Sequence, residues 1–202
     1  MNRIHTVGHS TQDLEKFLKL LTDAGVTAIA DVRSVPASRF TPQFNRAPLT
    51  RALRQVNVKY VFLGKELGAR SEDPSCYENG RVIYARLART ELFQAGIGRL
   101  QRGSGTESIA IMCAEQEPLD CHRTLLVSRV LHEQGMKIDH IHPDGQIESH
   151  DEAMNRLLRK HGLDRLDLIR TPQEMLDEAL TRQEQKVAFV PKDDNPMMAH
   201  RG

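Results

Sequence analysis

The chain's 202 residues suit one domain with an appendage, and a core of that size needs no covalent staples. A formal net charge of +1, with 4% aromatic residues and no Trp, excludes a polycation and an extended base-stacking platform, so any contact with nucleic acid rests on a local patch. Three cysteines, no signal peptide and no apolar run of membrane-spanning length point to a cytoplasmic protein of free thiols with no membrane partner.

The first β-prone segment is Ile4 to Val7. Gly8-His9-Ser10 follows it, and then a helix over 10–24. Ser10 and Asp13 fit a capping box, Leu14, Phe17, Leu18 and Leu21 form the apolar stripe, and Gly25 supplies the stop. Val26 to Val32 reads as the second strand and ends in Asp31-Val32-Arg33-Ser34. The basic loop beyond it carries Pro36, Pro42 and Pro48, which forbid a regular helix there. A short helix is expected from near Pro48, with Leu49, Leu53 and Val56 inward. Val58 to Leu63 is the third strand, running into Gly64-Lys65-Glu66-Leu67-Gly68. Residues 69–80 read as a surface loop. Residues 81–101 read as one helix with Ile83, Leu87, Phe93, Ile97 and Leu100 buried.

The fourth strand is the apolar run Ile109 to Met112. A helix over 123–134 carries Leu126, Val127, Val130 and Leu131 and ends at Gly135. Lys137 to His142 is the fifth strand, closed by the turn Pro143-Asp144-Gly145. Strands and helices thus alternate over residues 1–150. That predicts an α/β domain, a five-stranded mostly parallel sheet with helices on both faces. Residues 151–190 read as a helical extension, with helix starts at Ser149/Glu152 and at Thr171-Pro172-Gln173-Glu174. Residues 191–202 read as a disordered tail. The compositional break predicts that truncation after Lys160 leaves the α/β domain folded.

In an open parallel sheet, ligands bind outside the carboxyl ends of the strands. The chemistry-bearing residues of this chain follow the predicted strands. His9 and Ser10 follow the first; Asp31, Arg33, Ser34 and then Arg39 the second; Lys65 and Glu66 the third. Cys113, Glu115, Cys121, His122 and Arg123 follow the fourth. His140, His142 and Asp144 lie in or after the fifth, the two histidines reading mostly as strand residues.

The segments TVGHST (6–11), DVRSVPASR (31–39) and CAEQEPLDCHR (113–123), in this order and spacing, resemble the signature segments of the family catalogued as domain of unknown function 488. The resemblance covers about residues 3–150, and the third segment is its specific part. It implies a compact cytosolic α/β domain. It also implies a site among His9, Ser10, Asp31, Arg33, Ser34, Arg39, Cys113, Glu115, Cys121, His122 and Arg123. The family carries no activity to transfer.

Two chemistries compete for these residues. In the first, Ser10, Arg33, Ser34, Arg39 and Arg123 hold a small anion such as a nucleotide or a nucleic-acid component, helped by helix amino ends. His9, Asp31 and Glu115 are then acid/base candidates, and Cys121–His122 is a nucleophile pair activated by Arg123. The reaction is hydrolysis or group transfer at a phosphoester or N-glycosidic bond. Against this stands the ordinary pairing of Asp31 with Arg33. In the second, Cys113 and Cys121, with His122 or His9, ligate a divalent metal or serve as a non-catalytic redox sensor, although the spacing is not the short C-x-x-C type. An apolar-strand cysteine is otherwise a small core residue. Oligomeric state has no signature in the chain.

Overall fold

A computed structural model describes residues 3–165 and 169–191. The tail expected over 191–202 lies outside the described residues except for residue 191.

The first strand, β1 (Arg3–Gly8), is buried at every position after Arg3. Helix α1 (Leu14–Asp23) follows with Asp13 as its N-cap, the carboxylate accepting from Glu15 N. The capping box expected from Ser10 does not form. Ser10 instead takes a left-handed backbone, φ 45°, in the turn before the helix. Strand β2 (Ala28–Asp31) is wholly buried. Helix α2 (Arg46–Gln55) starts two residues before Pro48, whose missing N–H costs nothing in a first turn. Strand β3 (Lys59–Phe62) leads into a single helical turn, α3 (Gly64–Leu67).

The surface loop expected over 69–80 contains an element instead. Strands β4 (Tyr77–Glu78) and β5 (Arg81–Val82) pair antiparallel around Asn79 (φ 49°) and Gly80 (φ 75°), the left-handed pair of a tight hairpin turn. The helix expected over 81–101 is two helices, α4 (Tyr84–Leu87) and α5 (Glu91–Gly103). Thr90 breaks them apart by capping α5, its hydroxyl accepting from Phe93 N at 3.2 Å.

Strand β6 (Ile109–Cys113) is buried throughout. A 3-10 turn, Pro118–Asp120, and a π-helical turn, Arg123–Ser128, precede helix α6 (Arg129–Glu133). Strand β7 (Lys137–Ile141) then pairs antiparallel with a sixth sheet strand, β8 (Ile147–Ser149). Helix α7 (His150–Lys160) carries the expected Ser149/Glu152 capping box, and α8 (Pro172–Val187) the expected Thr171/Glu174 box.

Among the described residues the main sheet therefore has six strands rather than five, in the order β3-β2-β6-β1-β7-β8, and is parallel except at β8. One face packs Phe17, Leu21, Leu49 and Leu53 of α1 and α2 against Ile29, Ala110 and Met112. The other packs α5, the π-helical turn, α6, α7 and α8 against Ile4, Ala30, Ile111 and Ile138. Helix α8 shares this core: Ala179 is 0% and Leu180 4% exposed. Among the described residues no helix is long and apolar enough to cross a membrane.

The chain leaves β1 toward one side of the sheet and leaves β6 toward the other. The carboxyl ends of β1, β6 and β2 are neighbours at this reversal, where an open α/β sheet offers a crevice.

Candidate functional site

Cys113 is the last residue of β6, so the buried strand delivers its sulfur to the carboxyl edge. The chain turns away through Ala114, Glu115 and Gln116. Glu117 then caps the 3-10 turn, its Oε1 accepting from Leu119 N at 3.0 Å, and that turn brings Cys121 back.

The loop is stitched from both sides. His9 N donates to Cys113 O at 3.1 Å and Ser10 N to Ala114 O at 2.8 Å, extending the β1–β6 ladder beyond the strands. Gly8 permits this approach, since a Cβ there would lie 1.9 Å from Glu115 O. From the other side the fully buried Arg123 donates through Nη1 to Glu115 O at 2.5 Å and through Nη2 to Gln116 O at 3.0 Å.

This brings four side chains together. The ligand atoms of Cys113, Glu115, Cys121 and His122 all lie within 4.8 Å of one another. His122 Nε2 faces the Val32 carbonyl at 3.2 Å, so that nitrogen carries the proton and donates. Nδ1 is left facing the sulfurs, 3.6 Å from Cys113 Sγ and 3.9 Å from Cys121 Sγ. Cys121 Sγ donates to Glu115 Oε2 at 3.1 Å and accepts from Arg123 N at 3.4 Å.

The electrostatics separate the two thiols. Burial, then the nearby Cys121 and Glu115, push Cys113 well above the usual thiol range. Burial also opposes ionisation of Cys121, but the hydrogen bond with Cys113 and the charges of Arg123 and His122 outweigh it, and Cys121 falls well below that range. Burial alone would lower His122, yet the Cys121 partner raises it. Glu115 is exposed as a residue, but its carboxyl, packed against Cys121, is raised by desolvation first and by Cys121 second.

His9, Asp31 and Arg33 form a second cluster beside the first. Arg33 meets Asp31 through two parallel hydrogen bonds, Nε to Oδ1 at 2.9 Å and Nη2 to Oδ2 at 2.7 Å. Nη2 also donates to Phe44 O at 2.9 Å. Tyr60 donates its hydroxyl to Asp31 Oδ2 at 2.7 Å. Arg33 Nη1 donates to His9 Nε2 at 3.0 Å, which leaves Nδ1–H of His9 to donate to Ser10 O at 2.8 Å. The His9 ring stacks on Phe44 with centroids 4.3 Å apart. Burial pushes His9 down to about 4, against the Ser10 hydrogen bond and with help from Arg33. His9 is thus neutral at pH 7, with both nitrogens engaged.

The arginines do not converge into a fork. Arg33 closes on Asp31 and Arg123 on main-chain carbonyls, while Arg39 is exposed with its guanidinium 4.9 Å from the Phe40 ring. Ser34 Oγ accepts from Arg70 N at 3.2 Å, and Ser10 contributes its main chain.

A cavity of about 230 Å³ opens over Cys113, Glu115, Cys121 and His122. Its far wall was not legible in the sequence. Tyr84, at the start of α4, comes from beyond the hairpin, and Val187 and Phe189 come from the end of α8. Arg70 lies at this wall with its guanidinium 4.6 Å from the Phe189 ring. Three bonds hold the wall: Gln183 Nε2 to Leu119 O at 3.0 Å, Tyr84 N to Glu184 Oε1 at 2.7 Å, and Val82 N to Phe189 O at 3.0 Å. A C-terminal helix read as an appendage gave no signal that it would return to the site.

Fold and site together define a mostly parallel α/β protein with a buried thiol–imidazole cluster, edged by a carboxylate, at its switch point. The family model described as domain of unknown function DUF488 matches residues 13–130, more than half of the chain, and the chain belongs to this family. The match includes the segments 31–39 and 113–123 and leaves out TVGHST (6–11). No curated protein and no solved structure matches the chain.

Proposed function

We propose that the chain is a metal-dependent enzyme of hydrolytic type, its centre a zinc-like divalent ion held by Cys113, Cys121 and His122. One observation carries this reading. A tetrahedral ion with metal–sulfur bonds of about 2.3 Å and metal–nitrogen bonds of about 2.0–2.1 Å sets its sulfur and nitrogen ligands about 3.6 Å apart. His122 Nδ1 is 3.6 Å from one sulfur and 3.9 Å from the other. The Val32 carbonyl holds the other ring nitrogen, as main-chain carbonyls commonly do for metal-ligating histidines.

Glu115 differs from the three buried donors. It is exposed, and its 3.1 Å contact to Cys121 is a hydrogen bond, shorter than a shared-metal edge. Three protein ligands leave one position for water, whose pKa such an ion lowers to about 7. With an ion held there, Glu115 at the edge of the cluster would serve as the general base for a bound water and as the general acid toward the leaving nitrogen or oxygen. Cys and His donors with a non-ligand Glu also serve the zinc-dependent nucleobase deaminases, an analogy of donor set alone. A phosphate-bearing ligand held by an arginine fork draws no support from Arg33, Arg39 or Arg123, which are engaged elsewhere or exposed.

A second reading rests on the lowered Cys121 beside Cys113: a dithiol that oxidises to a disulfide and senses redox state. Metal analysis of untagged protein after zinc reconstitution separates the two. About one zinc per chain, lost in Cys113→Ser and His122→Ala and kept in Glu115→Gln, supports the metal reading. Zinc-free protein with a reversible Cys113–Cys121 disulfide supports the sensor.

A further inference from the structure

Cationic side chains are unevenly placed along the chain. Residues 32–65 hold seven of its 28 Lys and Arg and none of its 27 Asp and Glu, so the net charge of +1 hides a basic segment balanced elsewhere. Two of the seven are neutralised, Arg33 by Asp31 at 2.7 Å and Lys59 by Glu107. Arg39, Arg46, Arg51, Arg54 and Lys65 are exposed, and among the described residues none of these five has a carboxylate partner. Exposed cations elsewhere are often paired, as Lys19 is with Asp23 at 2.8 Å and Lys160 with Asp120 at 2.9 Å.

The fold gathers the four free arginines along α2 and the loop before it. That loop is bonded to the helix start: Arg46 N donates to Pro36 O at 3.0 Å and Ser38 N to Asn45 Oδ1 at 2.6 Å, which sets Arg39 and Phe40 beside Arg46. Arg46 leans over the edge strand β3, its guanidinium 5.3 Å from the Phe62 ring centroid and 6.0 Å from that of Tyr60. Arg51 and Arg54 stand on the exposed side of the same helix, away from the stripe of Leu49, Ala52 and Leu53 that faces the core. Phe40 lies at the head of this surface. It is 80% exposed, and among the described residues no other Phe or Tyr is exposed. The Arg39 guanidinium is 4.9 Å from its ring.

We infer that this surface binds a single-stranded nucleic acid, with the arginines on its phosphates and Phe40 stacked on a base. Charge complementarity selects a polyanion, because four unpaired guanidinium groups follow one loop and one helix with no acid among them to repel it. The free ring selects a single strand over a duplex, whose bases are already stacked on one another. One ring gives a stacking contact without sequence readout. Binding here needs no metal.

The test is fluorescence anisotropy of the full-length protein with labelled oligothymidylate and oligouridylate, a labelled duplex, and polyglutamate as competitor. The single strands should bind more tightly than the duplex. Their log Kd should rise with log salt at a slope of about 3, as four phosphate contacts on a single strand give. The double variant Arg51→Ala/Arg54→Ala should lower that slope by about 1.4. Phe40→Ala should weaken single-strand binding about tenfold and leave the duplex unaffected. Arg182→Ala, on α8 at the other face of the sheet and paired with Glu178, should change neither. Melting temperatures should be the same in all variants, since each altered side chain is exposed. No binding of single strands at low salt, unchanged affinity in Phe40→Ala, or a preference for the duplex would overturn the inference. Displacement by polyglutamate as effective as that by unlabelled oligothymidylate would overturn it in favour of an acidic protein partner.

Discussion

His122 Nε2 lies 3.2 Å from the carbonyl oxygen of Val32, just past the end of β2, although the two are 90 residues apart. The contact joins the carboxyl ends of two neighbouring strands and fixes which nitrogen faces the thiols. Replacement of His122 by Ala should lower zinc affinity by more than the roughly 10–100-fold that loss of an outer-shell partner costs. Competition against a chromophoric chelator measures it. Zinc affinity unchanged in His122→Ala would exclude this imidazole from the centre.

Gly8 gives a second, steric prediction. A methyl group there would overlap Glu115 O, a main-chain atom that cannot move without dragging the loop held by Arg123. Gly8→Ala should lower the melting temperature and zinc retention together. A variant of normal stability and metal content would show that the loop has slack.

The C-terminal helix gives a third. Ala179 and Leu180 are buried in the shared core, and Gln183, 1% exposed, is bonded to Leu119 O and Asp120. Truncation after Lys160 should therefore abolish cooperative unfolding, the reverse of what the compositional break suggested. Leu180→Ala in the full chain should cost about 2–5 kcal/mol, measurable by urea unfolding. A truncated chain with a sharp transition would restore the appendage view.

The fourth concerns pH. His150 is buried and faces His140 (Nδ1 to Nε2, 3.1 Å), with His132, Arg129 and Glu148 around it. His140 in turn meets Thr6 Oγ1 at 2.8 Å. Burial first, then His132 and Arg129, push His150 from 6.5 to about 3, and burial pushes His140 well below 6.5. Both fold neutral, and the unfolded chain binds their protons more readily. Their stabilising effect is complete above about 6.5 and is lost as pH falls toward 3. Each histidine adds up to about 1.4 kcal/mol per pH unit to that slope. His150→Gln should flatten the slope between pH 6 and 4, in urea unfolding at stepped pH, whatever it does to stability at pH 8. An unchanged slope would exclude His150 as the titrating group.

The five parallel strands were legible because each is a short stretch with β-branched, aliphatic or aromatic residues set between helices or turn residues. Strand β8 was not: its three residues are exposed or half-buried, and its signal is tertiary pairing with β7. Asn79-Gly80 was a readable hairpin signal inside a stretch whose polarity suggested only a loop. The break at Thr90 was hidden because Ile83, Leu87, Phe93 and Ile97 keep a helical spacing across it. At the site, chain order brought the right residues to one edge. Spacing could not say that Arg33 would close on Asp31 and Arg123 on carbonyls, or that Cys113 would meet Cys121 across a 3-10 turn. Those outcomes depend on side-chain directions set by strand ends and by the π-helical turn, which no local pattern announces.

The central claim is that two thiolates and one imidazole share a metal ion. X-ray absorption at the zinc edge of the reconstituted, untagged protein tests it most directly. The account predicts two sulfur neighbours at about 2.3 Å and two nitrogen or oxygen neighbours at about 2.0–2.1 Å, with both sulfurs lost in the Cys113→Ser/Cys121→Ser double variant. Zinc surrounded by nitrogen and oxygen alone, or no zinc retained after desalting, would contradict it.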